Sequence, residues 1–266
     1  MQPLQLILVA LVQGLTEYLP ISSTAHTILL PRLFGWPDHG LAVDVAANTG
    51  TLLAVVAYFR RDLAGYVRAL FRGGEAGDPG ARRMIPLLAL ASLPVLVAGI
   101  VAGDWIAGDA RTPGVIAWAT IGFGLLLGVA DRWGAQERRL EQVNWRNALV
   151  FGLAQATALI PGASRAGVVI SAGRLLGFDR ESSARFAFLL ALPVGVFVAG
   201  KDSLDLLSGT LPLSQLPSLL LVAALSAVVG YLVIGGLLGW LRRRGLQVFV
   251  GYRLVLGTVL LMLSQP

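Results

Sequence analysis

Residues 13–26 read QGLTEYLPISSTAH. This stretch gathers Gln13, Glu17, Ser22, Ser23 and His26 inside an otherwise apolar sequence. Pro20 interrupts it, so one unbroken helix cannot carry all five polar groups. A similar phrase returns at 153–167, LAQATALIPGASRAG, with Gln155, Ser164 and Arg165. Ionisable side chains at membrane depth are costly and mark function by default.

The surrounding composition supplies the membrane. The chain has 266 residues, 56% of them hydrophobic and 14% charged, with a mean hydropathy of +0.74. A soluble domain would carry about 25% charged residues. Charge-free runs at 84–103, 113–130, 147–164 and 206–241 include several of the ~20 residues that a spanning helix needs. Nothing shows the ten-residue alternation of a membrane barrel. The expected fold is an all-α, polytopic membrane protein, with 1–266 as a single integral domain. The N-terminal MQPLQLILVALVQG lacks the positive flank of a signal peptide and reads as structure. The net charge of +6 resides in clustered arginines, as topology signals do. Nucleic acid is therefore not an expected partner. With no cysteine, disulfides and thiolate metal sites are excluded.

Topology follows from parity. Spans are expected near 41–59, 84–103, 113–131, 184–200, 217–240 and 246–264. Basic loops at 60–83 (including Arg72), at 132–146 and at Arg242–Arg244 belong on the cytoplasmic side. Loops 104–112 and 201–216, carrying Asp104, Asp109, Asp202 and Asp205, belong outside. Residues 147–176 then start and finish inside, so they must enter the membrane and return, turning near Pro161-Gly162. Residues 3–34 must dip in from outside, turning near Pro20. The chain reads as an inverted-topology repeat: a re-entrant helix pair plus three transmembrane helices over 1–131, and again over 146–266. On this reading Gln-x6-Pro-x2-Ser at 13–23 aligns with Gln-x5-Pro-x2-Ser at 155–164, one residue shorter.

Each polar residue has a functional and a structural reading. Glu17 shares a helix face with Gln13. It could help hold a divalent cation or handle a proton, or it could satisfy a buried partner. Ser22 and Ser23 could cap a helix or offer a nucleophile. His26 follows Ser23 by three residues and could act as its base, or itself attack phosphorus. Arg165, at a helix start after Gly162 and Ser164, suits an anion. Asp44 and Asn48 lie one turn apart in an apolar span and, with Gln155, are candidates for a supporting shell. Arg253 sits mid-span and needs a partner. Arg174, Asp179, Arg180, Glu181 and Arg185 read as charges at the cytoplasmic mouth. A carboxylate, a hydroxyl, an imidazole and a guanidinium in a pocket bordered by lipid suit a phosphorylated amphiphile.

Two phrases, QGLTEYLPISSTAH and PGASRAG at 161–167, resemble the undecaprenyl-diphosphate phosphatase family, the bacitracin-resistance membrane phosphatases. TGTLLAVV at 49–56, FAFLLALPV at 186–194 and GYR at 251–253 are lesser echoes. The resemblance runs through essentially the whole chain. It implies hydrolysis of undecaprenyl diphosphate to undecaprenyl phosphate and inorganic phosphate, which recycles the lipid carrier of wall synthesis and confers bacitracin resistance. It also implies Mg2+ or Ca2+, with Glu17 as the metal-associated acid beside Gln13. Ser23 and His26 match the proposed nucleophile or base, and Arg165 the phosphate-binding arginine, with Ser22, Gly162 and Ser164 around it. The implied setting is the bacterial inner membrane, with the site open to the outer side and a homodimer admitted. Gln13 stands where many members have a second glutamate, and Asn48 where glutamine is common. The alternative reading is a transporter or flippase of polyprenyl phosphate lipids, which inverted repeats would suit.

Overall fold

The computed structural model describes residues 3–36, 40–71, 79–108, 110, 112–208 and 215–264. Helices dominate it: α1 Pro3–Thr16, α2 Ser23–Phe34, α3 Leu41–Tyr58, α4 Arg60–Phe71, α5 Pro79–Ala107 and α6 Pro113–Trp133, then α7 Trp145–Thr157, α8 Arg165–Leu175, α9 Arg180–Ser208, α10 Leu216–Leu241 and α11 Gln247–Leu263. No strand is present among the described residues. Helices α3, α5, α6, α9 and α10 contain segments long and apolar enough to cross a membrane. The outward faces are apolar too: Leu220, Val228 and Leu232 on α10 are 60% exposed or more. That arrangement is stable where hydrocarbon is the solvent. The protein is an all-α polytopic membrane protein.

Three expectations shift. The expected sixth span is α11, a shorter apolar helix whose 17 residues stand at the lower limit of about 17 for crossing alone. The basic stretch 60–83 begins as helix α4, which buries no residue fully. Its Leu63 and Tyr66 lean on the core while Arg60, Arg61 and Arg68 are exposed, the layout of a helix lying at an interface. Helix α9 runs on to Ser208, so the expected loop from 201 starts later. Arg72 and Asp109 lie outside the described residues.

The basic loops meet at one end of the bundle. Arg185 pairs with Asp62 at 2.8 Å, Arg180 with Asp131 at 2.6 Å and Arg242 with Glu181 at 2.8 Å. Arg138 shows that α7 and α8 leave from this end and return to it. Its guanidinium donates to Asn147 Oδ1 in the first turn of α7 and to the Leu176 carbonyl just past α8. The first hairpin belongs to the opposite end. Leu6 and Val9 of α1 pack with Val43 and Val222, near the starts of α3 and α10. Ala25 and Leu29 of α2 pack with Ile116 and Leu260. The two broken helix pairs therefore approach from opposite ends.

Their tips meet at Arg253. This side chain is fully buried in α11. Its five N–H donors reach the carbonyls of Pro20 in the first break, Gly162 and Ala163 in the second, and Ala119 and Thr120 in α6, at 3.0–3.4 Å. Helix breaks in a bilayer free carbonyls that water cannot satisfy. Arg253 satisfies them, so it is a structural residue whose partners are carbonyls. Arg174 repeats the device at the basic end. It is fully buried and donates to the carbonyls of Asp131, Gly134, Ala135 and Phe178, with Asp131 3.4 Å from its Nε. The sequence expects a mouth charge there; burial makes Arg174 the lock that holds the foot of α8.

Close helix packing sets the frame. A Cβ at Gly50 of α3 would lie 2.2 Å from the Ala223 carbonyl oxygen of α10. Small residues allow such approaches in membranes, where packing drives association. Gly50→Ala is expected to destabilise the protein by about 1–3 kcal/mol, because backbone must move. Gly236→Ala, where nothing lies within 4 Å, should be neutral or stabilise by about 0.5–1 kcal/mol. Thermal unfolding in detergent distinguishes the two; equal midpoints would refute the packing. In the same assay Arg253→Lys should lower stability by about 1–3 kcal/mol or more, since a lysine cannot reach both breaks and leaves carbonyls unpaired.

Candidate active site

Glu17 follows the last residue of α1, in the turn that Pro20 enforces. Arg165 opens α8 after the second break. The breaks put 148 residues of sequence separation into one contact: Arg165 Nη2 donates to Glu17 Oε1 at 2.6 Å. Both side chains are mostly covered, with 25% and 14% of their surface exposed. A charge-assisted pair in a covered site is stronger than its surface counterpart.

The other carboxylate oxygen gathers neutral donors. Ser23 Oγ donates to Glu17 Oε2 at 2.8 Å and Gln13 Nε2 donates at 3.0 Å. Gln13 also donates to Asn48 Oδ1 of α3 at 2.7 Å. Asp44 is half-buried on the preceding turn of α3. Gln13, Glu17, Ser23, Asn48 and Arg165 therefore form one connected group.

Ser22 and Ser164 are the two non-glycine residues with positive φ among the described residues, at 73° and 69°. Each precedes the helix after a break, and each hydroxyl accepts from the backbone N–H three residues on, Ala25 and Gly167. Left-handed serines are uncommon and strained. Their hydroxyl oxygens cap the helices that follow. This corrects the alignment read from sequence. Ser22, rather than Ser23, matches Ser164 in backbone and cap. Gln13 and Gln155 then precede their serines by the same interval, and the one-residue gap disappears. Gly162 has φ 97°, and a Cβ there would lie 2.4 Å from the Ile116 carbonyl oxygen. Only glycine fits that close left-handed turn.

His26 and Ser23 do not form a hydrogen-bonded pair. The His26 Nδ1 lies 2.7 Å from the Ser22 carbonyl oxygen, which can only accept, so Nδ1 carries the proton. In the neutral ring Nε2 then accepts from the Tyr252 hydroxyl at 2.6 Å. Tyr252 carries no signal of its own in the sequence, where the mid-span charge of its neighbour Arg253 dominates GYR. Gln155 is also elsewhere: fully buried on α7, with both amide atoms lacking a hydrogen-bond partner. It does not join the Glu17 group. Tyr18, unremarked in sequence, donates to the Thr51 carbonyl and fixes the turn to α3. A hollow of about 150 Å³ beside these groups is lined by Glu17, Asn48 and Arg165 and by apolar residues of α3 and α9.

Among the described residues no group of three or more His, Cys, Asp and Glu side chains is placed to hold a metal ion. A hard cation would find one carboxylate, Glu17, and the amide oxygen of Asn48; the Gln13 amide presents its nitrogen to both and would turn its oxygen inward to join them. Mg2+ commonly binds through one or two carboxylates plus substrate phosphates, so this donor set fits a cation that shares its ligands with a diphosphate.

Residues 6–259 match the protein family described as "Bacitracin resistance protein BacA". The chain is 46% identical over 270 residues to undecaprenyl-diphosphatase 2 of Stutzerimonas stutzeri, covering 99% of this chain and 98% of that protein. It is 45% identical over 260 residues to undecaprenyl-diphosphatase of Magnetococcus marinus, 95% of this chain and 96% of the relative. The undecaprenyl-diphosphatase of Nitrosococcus oceani is 46% identical over 258 residues, 97% of each chain. With its broken helix pairs, its Glu17–Arg165 contact and these full-length similarities, the chain belongs to the bacitracin resistance protein BacA family.

Proposed function

We propose that this protein hydrolyses undecaprenyl diphosphate to undecaprenyl phosphate and inorganic phosphate, recycling the lipid carrier of peptidoglycan synthesis and conferring bacitracin resistance. The names of its full-length relatives supply the substrate. One observation carries the mechanism: a single carboxylate, Glu17, accepts from the Ser23 hydroxyl on one oxygen and from Arg165 on the other.

The chemistry follows from those partners. Ser23 Oγ attacks the terminal phosphorus, and its proton passes to Glu17. The bond from that phosphorus to the bridging oxygen breaks, and undecaprenyl phosphate leaves. Water then cleaves the phosphoserine, releasing inorganic phosphate. Arg165 exchanges its hold on Glu17 for the phosphate oxygens and steadies their charge in the transition state. His26, engaged by the Ser22 carbonyl and Tyr252, anchors α2 to α11. A divalent cation, Mg2+ or Ca2+, held by Glu17, Gln13 and Asn48 with the diphosphate, would neutralise phosphate charge.

We also read the halves 1–131 and 146–266 as inverted repeats. The opposed hairpins, the matched serines and the packing of α1 on α10 and α7 on α5 support this. The basic end carries the arginine-rich loops, which favours a cytoplasmic location for it and a site open to the outer side of the inner membrane.

Phosphate release from a C55 diphosphate by purified protein in detergent tests the function. Glu17→Ala, Ser23→Ala and Arg165→Ala should each lower kcat/KM by about 10²–10⁴-fold; wild-type rates in Ser23→Ala would reject it as nucleophile. Quenching with terminally labelled substrate should trap acid-stable phosphoserine; an acid-labile adduct on His26 would transfer the attack to imidazole. Chelation of divalent ions should abolish release, and Mg2+ or Ca2+ should restore it; full activity in chelator would remove the cation from the scheme.

A further inference from the structure

Helix α4, at the basic end, turns two strips outward. Its inner side is occupied: Leu63 and Tyr66 lean on the core, and Asp62 is held by Arg185 at 2.8 Å. One outer strip is apolar, with Val67 46% and Phe71 81% exposed. The other is basic and carries Arg61 and Arg68, both exposed. Seven residues are close to two turns, so these arginines fall nearly in line, about 10 Å apart along the axis.

Between the two arginines the helix is nearly bare. Ala64 is exposed, and a Cβ added at Gly65 would meet nothing within 4 Å. The result is a notch with a cation at each end and accessible backbone between. Arg68 Nε donates to the Ala64 carbonyl at 3.0 Å, which folds its guanidinium back toward the notch. Among the described residues no carboxylate pairs with Arg61 or Arg68. Over residues 60–83 six arginines stand against three acids, so the surrounding segment leaves positive charge uncompensated.

We propose that this notch binds the headgroup phosphate of an anionic phospholipid, with Arg61 and Arg68 on the phosphate oxygens and the acyl chains against Val67 and Phe71. Guanidinium forks match phosphate oxygens in geometry and charge. An apolar strip beside a basic one calls for a ligand that is anionic at one end and hydrocarbon at the other. An acidic protein or free phosphate would satisfy the arginines and leave Phe71 in water, at a hydrophobic cost. Each arginine near a bilayer surface strengthens attraction to anionic lipid about fivefold. The bound lipid braces α4, and through it α3: the two helices join at Phe59, which is fully buried. The notch is separate from the Glu17–Arg165 group and independent of the reaction assigned there.

The test uses the full-length protein in detergent with a phosphatidylglycerol carrying a diazirine near the top of one acyl chain. Light should label the peptide 60–71. Unlabelled phosphatidylglycerol should compete, and phosphatidylcholine should not. Arg61→Gln combined with Arg68→Gln should cut this label by about tenfold or more. Gly65→Leu, whose added side chain enters open space, should fill the notch and cut it severalfold while the fold is kept. Arg243→Gln combined with Arg244→Gln removes the same charge from exposed positions at the same end and should leave the label unchanged. Label absent from 60–71, or undiminished in either of the first two variants, overturns the proposal. So does equal labelling by a phosphatidylcholine probe, or displacement of the lipid by inorganic phosphate. Equal loss in the Arg243 and Arg244 variant would reduce the effect to general surface charge and discard the notch.

Discussion

The structure depends on satisfying broken backbone inside hydrocarbon. Two helix pairs stop partway through the bundle, and their tips expose carbonyls that neither helix nor water can serve. Arg253 meets this demand with five donors in a planar fork, reaching Pro20, Gly162 and Ala163 at once. A buried guanidinium without a carboxylate would ordinarily be prohibitive. Here oriented carbonyl dipoles stand in for the anion. The clamp also fixes distance: with both tips tied to one side chain, the residue before one break and the residue after the other are brought into contact. Glu17 and Arg165 meet because Arg253 holds their turns together.

The far end of the bundle solves a related problem with charge. Arg174 also serves carbonyls, but Asp131 stands beside it, accepting from Arg180 and from the Leu246 N–H. Asp179 pairs with Arg139 and caps α9 through the Ser182 N–H. This knot joins the feet of α6, α8, α9 and α11, so one end of the bundle is rigid. The site lies away from it, beside the hollow lined by α3 and α9.

Within the site, economy of charge is the main theme. One carboxylate is shared by a guanidinium, a hydroxyl and an amide, so no group of the cluster is buried without a partner. In the proposed mechanism an incoming diphosphate would compete with Glu17 for Arg165, and the carboxylate so relieved would better accept the serine proton. The capping serines, Ser22 and Ser164, hold strained turns beside these groups.

Much of this was legible in the sequence because bilayers impose simple rules. Hydropathy marked the long spans. Parity of the arginine-rich loops calls for two hairpins that return to their own sides. Intramembrane Glu17 and Arg165 were conspicuous because charge there is expensive. Other features were closed to inspection. Letter spacing aligned Ser23 with Ser164, whereas backbone conformation aligns Ser22, since φ is set by the turn and its cap. Ser23 and His26 share helical spacing, yet Ser23 bonds to Glu17 and His26 to Tyr252, because neighbours 226 residues away are chosen by helix packing. Gln155 looked equivalent to Gln13 but lacks a partner such as Glu17 or Asn48. The amino-acid order alone determined that the chain lives in a membrane, where it breaks and which charged residues it must bring together; tertiary structure alone decided which atoms meet, because side-chain partners depend on crossing helices that local sequence does not encode.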